Sequence, residues 1–319
     1  MNRKNNLDAH FDSIRRVGHD GILADRLTRV TSAVLAEFLY KPTRWANEDF
    51  ITLEKEMVGP GTTEIDGYTA EDVHAAGSSF VSENGEVAFS SFKISPNPNR
   101  VHSMLVGYEW TDTQTQKWEQ QGFGTDLPGQ LGRSASRKWH LDLDGAIRSG
   151  ITGRFQGVIN MEGSSQLIAG TASGTTATWS TASPQQIVDS MAALSDAQEE
   201  KTGGLIEANT VIFPGSLKSV LAKHYVTGST ITILEWLQKQ YSNITLWAFD
   251  RRQAATGLSG ADPVLMYNRD PEIIKVQMPV YLSPYPEFEK HGKHEQVMLT
   301  RTTGPTTDYP GAIAVLSGV

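Results

Sequence analysis

The stretch from Gly59 to Arg100, GPGTTEIDGYTAEDVHAAGSSFVSENGEVAFSSFKISPNPNR, constrains this 319-residue chain more than any other. It is rich in Gly, Ser, Thr and Pro and shows no sustained helical period. Asn84-Gly85 is a two-residue hairpin signal, because a type I′ turn needs φ above zero at both central positions. Val87 and Phe89, then Phe92 and Ile94, alternate on either side of a phase slip at Ser90-Ser91, as at a β-bulge. The segment reads as a long hairpin arm. Connections this long are uncommon inside compact domains, and an isolated two-stranded ribbon is only marginally stable in water. Either the arm folds back on its own domain or something else covers it.

The rest of the chain is long enough for one large or two ordinary domains with a real core. The absence of cysteine excludes disulfides, thiolate zinc sites and a cysteine nucleophile, and fits a reducing compartment. The opening MNRKNNLDAHFDSIRR carries charge where a signal peptide needs an apolar core. No apolar run approaches the roughly 20 residues of a membrane helix, so a soluble, unexported protein with no membrane contact is expected. A formal charge of −8 argues against a dedicated nucleic-acid reader.

Between Phe11 and Tyr40, Ile14, Val17, Ile22, Leu23, Leu27, Val30, Val34, Leu35 and Phe38 recur at helical spacing, interrupted near GHDG, so an N-terminal arm of one or two helices is expected. SMLVGYEWT, Ser103 to Thr111, is a candidate buried strand, followed by the polar DTQTQKWEQQG. Leu127, Leu131, Ala135, Trp139, Leu143 and Ile147 are spaced by four and predict a helix of about six turns, with Pro128 in its first turn. GSSQLIAGTASGTTATWSTAS reads as a loop or weak hairpin. A helix then runs from the capping box Ser183-Pro184-Gln185-Gln186 to Gly203-Gly204.

Thr210 to Phe213 reads as a short strand entering a helix, STITILEWLQKQY as a helix with Ile233, Leu234, Leu237 and Tyr241 inward, and NITLWAFD as a buried strand. After a loop from Arg251 to Asp262 come strands around VLMYN, EIIKVQMPVYL, QVMLTRT and AIAVLSG. Within VLMYNRDPEIIKVQMPVYLSP the two apolar runs read as paired strands joined by a turn at NRDP. A helix-bearing region ending in antiparallel strands is an α+β pattern.

Catalytic patterns are absent from the motifs. His291 and His294 in HGKH have an intervening glycine and no HExxH context, so a solvent-exposed turn is expected there and no metal site. HLDLD places His140 and Asp144 on one helix face and Asp142 on another, as on an ordinary polar surface. GFGTDLPG, Gly122 to Gly129, lacks both GxGxxG spacing and a P-loop ending and reads as a turn into the helix. GLSGAD around Ser259 is not a nucleophile elbow. No catalytic, cofactor-binding or metal-binding residue is assigned.

From about Ser103 onward the order of features resembles the major capsid proteins of tailed bacteriophages and prophages, with the Hong Kong 97 phage-type fold shared by encapsulin shells. The resemblance rests on GYEW (Gly107 to Trp110) ahead of a polar segment and long helix, ANTVIFPGSLKSVL, MYNRDPEIIKVQMPVYLSPYP and the closing DYPGAIAVLSGV. It covers roughly two thirds of the chain; the first 100 residues match in kind only. It implies an N-terminal arm over 1–58, an extended loop over 59–102, a peripheral domain over 103–165 with a spine helix at about 126–149, an axial domain over 166–271, and returning strands over 272–319.

The resemblance further implies a non-enzymatic shell protein of the virion, assembling in the host bacterial cytoplasm into pentamers and hexamers of an icosahedral head. Its partners would be identical subunits, scaffolding, portal and decoration proteins, and packaged double-stranded DNA met without sequence preference through basic residues such as Arg15 and Arg16. The extended loop would lap a neighbour, which gives the hairpin arm its cover. Some relatives link a loop lysine to an asparagine of the next subunit, and Lys93 is the only lysine between Gly59 and Arg100. The sequence begins at Met1, from which a subunit that loses no large prosegment is expected. Alternatives are an encapsulin-like nanocompartment shell and a soluble α+β enzyme with a site dispersed among Asp142, Asp144, His224 and His291.

Overall fold

A computed structural model describes residues 43–55, 59–74, 91–120, 127–169, 178–223, 231–250 and 263–319, with the backbone alone for 66–74 and 91–97. The expected N-terminal helices with Arg15 and Arg16, the Asn84-Gly85 turn, His224 and Ser259 lie outside the described residues. The chain divides into two compact units. The larger holds 43–106, 137–285 and 297–319, and the smaller includes 107–136 and 286–296.

The larger unit is organised around a five-stranded sheet of β7 (Ser165–Ile168), β8 (Thr210–Pro214), β9 (Leu246–Asp250), β10 (Val264–Tyr267) and β16 (Ile313–Ser317), in the order β7-β16-β10-β8-β9. The β10–β16 and β10–β8 pairs are antiparallel, while β7–β16 and β8–β9 are parallel. The sheet is therefore mixed, because the strand-helix-helix-strand segment from Thr210 to Asp250 returns its second strand in the same direction as its first.

β8, β10 and β16 are buried along their whole length, which explains why TVIFP, VLMY and IAVLS are unbroken apolar runs. Alternate residues serve two cores. Val211, Phe213, Val264, Met266, Ala314 and Leu316 join one with helix α3 (Pro184–Thr202) and helix α5 (Ile233–Gln240). Ile212, Leu265, Tyr267, Ile313 and Val315 join the other with Trp139, Leu143 and Ile147 of helix α2 (Leu127–Ser149). That second core also takes residues from β1 (Thr52–Lys55) and β11 (Ile274–Met278), which form a three-stranded sheet with β15 (Pro305–Thr307) in the order β1-β11-β15. Helix α4 (Lys218–Leu221) is a single turn after β8, shorter than the helix the sequence suggests there.

Both helix boundaries read from chemistry hold. Helix α2 carries Pro128 in its first turn, and its stripe is fully buried at Trp139, Leu143 and Ile147. At α3 the Ser183 hydroxyl accepts from the Gln186 amide (3.3 Å) while the Gln186 side chain accepts from the Ser183 amide (2.8 Å), and Gly203 closes the helix at φ 61°. Each half of that box satisfies a backbone N–H that the helix cannot.

Three expectations change. β10 and β11 do not pair with each other: one belongs to the five-stranded sheet and the other to the three-stranded sheet. NRDP is a crossover instead of a hairpin turn. Asn268 Oδ1 accepts from the Asp270 amide (3.0 Å), Asp270 Oδ1 accepts from the Glu272 amide (3.0 Å), and the Arg269 guanidinium donates to the Glu48 carbonyl (2.5 Å). The second run then breaks at Pro279 into β11 and β12 (Val280–Pro284), in different sheets. Second, β4 (His102–Thr111) is half-exposed, not buried. Its burial alternates residue by residue, Leu105 is 65% exposed and Trp110 is buried, the signature of a sheet with one open face. Third, Ser165–Ile168 is not part of a weak hairpin but the parallel edge strand beside β16. The polar DTQTQKWEQ is helix α1 (Asp112–Gln120), with no buried residue.

Candidate functional site

The hairpin arm is a ribbon of β2 (Glu64–His74) and β3 (Ser91–Arg100), paired antiparallel from Glu64↔Arg100 to His74↔Ser91. Its register slips between Asp72 and His74, opposite Phe92 and Ser91, beside the phase slip seen in the sequence. Among the described residues no third strand pairs with it. Proline enters a strand only where its missing N–H points away from the partner. Pro96 and Pro98, opposite Tyr68 and Asp66, thus deprive the outer edge of β3 of two donors. Lys93 stands opposite Glu71 in the same ladder.

The polar residues singled out as possible chemistry occupy structural roles. Asp142 is exposed and pairs with Lys138 at 2.5 Å, one turn away on α2. Asp144 is buried and accepts from the Trp45 amide at 2.9 Å, while the Trp45 indole donates to buried Asp250 at 2.9 Å. These bonds tie the segment before β1 to α2 and β9, and they give two buried carboxylates the donors that burial demands. His140 lies edge-on to Trp139 with ring centroids 4.6 Å apart, and burial, then Lys55, holds its pKa below the ordinary histidine value. The Tyr267 hydroxyl donates to the Phe50 carbonyl at 2.6 Å, and complete burial pushes its pKa up. His291, with φ 54°, and Gly292, with φ 70°, form the two-residue loop of a hairpin between β13 (Phe288–Lys290) and β14 (Lys293–Thr302). The turn expected at HGKH is thus only His291-Gly292, while Lys293 and His294 begin β14, and no group of His, Asp and Glu that could hold a metal occurs among the described residues.

In the smaller unit, His294 sits at the centre of a cluster that the sequence did not reveal. Its Nδ1 lies 2.7 Å from Glu287 Oε1 and its Nε2 lies 3.0 Å from Asp112 Oδ1. Its ring stacks on Trp110 (5.3 Å, 7°), which in turn stacks on Tyr108 (5.5 Å, 23°). Lys293 Nζ bridges Glu109 (2.7 Å) and Glu295 (2.8 Å), and the Asp112 amide donates to the Gly292 carbonyl (3.1 Å). Donating to Asp112 and Glu287 raises the His294 pKa above the ordinary value, and donating to Glu109 and Glu295 raises that of Lys293. No sequence pattern brings these residues together, since Asp112 and His294 are 182 positions apart. Among the described residues, no helix is long and apolar enough to cross a membrane.

A family model described as "Major capsid protein" matches residues 83–319. No curated protein sequence matches the chain. Solved structures do. The capsid of Myoviridae phage XM1 aligns with a TM-score of 0.70 at 14% identity, over 88% of this chain and 93% of that one. The capsid of an empty GTA particle aligns at 0.60 and 13%, over 87% and 90%. A virus-like particle from Pyrococcus furiosus aligns at 0.52 and 10%, over 86% and 95%. At these identities the likeness establishes the fold, and it is the fold of phage capsid subunits.

Proposed function

The chain belongs to the major capsid protein family, and from that membership we propose that copies of it close into an icosahedral head of pentamers and hexamers around double-stranded DNA. The family is structural, not enzymatic, and the chain's work is assembly without catalysis. Assembly takes place in the host bacterial cytoplasm, with portal, scaffolding and decoration proteins as partners. The DNA is met without sequence preference, since a net charge of −8 argues against a dedicated base-reading surface.

The observation that carries this reading is the β2–β3 ribbon, two strands of 11 and 10 residues with which no further strand pairs among the described residues. A ribbon like this gains stability only when another surface buries it. A neighbouring subunit supplies that surface, so 59–102 acts as the extended loop. The helix α2 is the spine of a peripheral domain over 103–165, and the five-stranded sheet with α3 and α5 is the centre of an axial domain over 166–271. Residues 1–58 form the N-terminal arm and 272–319 the returning strands. Lys93 is the loop lysine available for an intersubunit bond to asparagine. The encapsulin-like shell differs from this reading in its contents: nucleic acid copurifying with the particles supports the phage head, and an enzyme cargo supports the nanocompartment.

Replacing residues 66–98 by a short Gly-Ser turn tests the role of the ribbon. Both cores stay intact, so the variant is expected to remain folded by circular dichroism but to elute as a small species, where the unaltered chain forms particles. Particles of unchanged size would overturn the proposed role.

A further inference from the structure

We propose that His294 is a pH-operated latch within the smaller unit: as an imidazolium it clamps the β13–β14 hairpin onto the corner where β4 enters α1, and as a neutral imidazole it releases it. The geometry is that of a doubly charge-assisted clamp. One ring nitrogen meets Asp112, the first residue of α1, at 3.0 Å, and the other meets Glu287, just before β13, at 2.7 Å. Only the imidazolium can donate to both carboxylates, since the neutral ring has one N–H and one lone pair. Stacking on Trp110 at 5.3 Å leaves the His294 side chain 16% exposed and fixes the plane in which both bonds are made.

The surrounding charges make the proton matter. From β13, Glu289 stands directly opposite His294 and Lys290 opposite Lys293. From β4 comes Glu109, which with Glu295 of β14 is bridged by Lys293. Tyr108, beyond Trp110, has its pKa raised by burial and then by Glu287, so it stays neutral. His291 projects from the hairpin loop and is exposed. Five carboxylates, Glu109, Asp112, Glu287, Glu289 and Glu295, thus crowd a site with two lysines, and loss of the His294 proton removes the third cation. Without it Asp112 and Glu287 lose their shared donor and the hairpin end loosens there, while the pairing of β4 with β14, the Trp110 stack, the Tyr108–Gln296 bond (3.4 Å), the Asp112–Gly292 backbone bond (3.1 Å) and the exposed Lys293 pairs remain.

The direction of the pH dependence follows. The folded His294 pKa lies above the unfolded value of about 6.5, so the stabilisation is complete below that value and disappears as the pH rises through the folded pKa. The latch therefore holds below pH about 6.5 and opens as the pH rises through the higher, folded pKa.

Hydrogen exchange of the full chain, followed by mass spectrometry between pH 6 and pH 9 and corrected for intrinsic exchange, tests this. Amides of 286–296 and 107–120 are expected to lose protection across that range, by up to tenfold for each pH unit separating the folded and unfolded pKa. His294→Gln is expected to be poorly protected and flat with pH. If that variant does not fold, the double variant Asp112→Asn/Glu287→Gln, which keeps the stack, must move the wild-type transition to lower pH. Flat protection in the wild type, parallel loss in His294→Gln, or an unmoved transition in the double variant would each overturn the latch.

Discussion

Replacing Trp139 by alanine is expected to destabilise the larger unit by about 3–5 kcal/mol, the range for deleting a large aromatic side chain from a core. Trp139 is 2% exposed, packs edge-on to Tyr281 with centroids 5.1 Å apart, and lies among Leu143, Ile147, Leu265 and Ile313. No neighbour can fill the gap, because these side chains come from four different elements held by their own hydrogen bonds. Trp139→Phe keeps most of the volume and is expected to cost less than half as much. Urea unfolding followed by circular dichroism measures both; a loss below about 1 kcal/mol for the alanine variant would contradict the packing described.

Gly157→Ala is expected to be nearly as damaging, at about 3 kcal/mol, the upper end for overpacking. A Cβ there would lie 2.3 Å from the Gly150 nitrogen and 2.4 Å from the Arg148 carbonyl oxygen, and backbone on that side cannot yield as a flexible side chain would. Helix α2 ends at this point in a short antiparallel pair, β5 (Gly150–Ile151) with β6 (Phe155–Gln156), and Gly150 turns the corner at φ 75°. Gly153→Ala is the control. Its φ is 75°, where Gly157 lies at φ −93°, and nothing lies within 4 Å of the added carbon, so it reports left-handed backbone strain alone, about 1–2 kcal/mol. A loss of less than about 1 kcal/mol in Gly157→Ala, whose backbone φ any residue can adopt, would show that crowding there is not limiting.

Much of the fold was legible because local chemistry and tertiary structure agree there. The four-residue spacing of Leu127 to Ile147 and the Ser183-Gln186 box state where helices lie without help from distant residues, and both hold. The α+β class and the hairpin arm followed from the same kind of signal. Strand partnership was not legible. VLMY and IIKVQM look like the arms of a hairpin because they are close in sequence, whereas their partners are β8 and β16 for one and β1 and β15 for the other. The half-exposure of β4 escaped notice because Met104, Leu105 and Val106 are consecutive and apolar. The His294 cluster was hidden for a related reason: Asp112 and Glu287 are separated by 175 positions and meet only once the hairpin is placed. Asp142, Asp144 and His291, which looked like chemistry in isolation, are an ion pair, a buried acceptor and a loop residue.

The central claim is that this chain is a shell subunit, and light scattering of the purified full-length protein after size-exclusion chromatography tests it most directly. The account predicts discrete particles of megadalton mass built from the 34.9 kDa chain. A stable monomer or small oligomer under all assembly conditions, above all one that turns over a substrate, would contradict it.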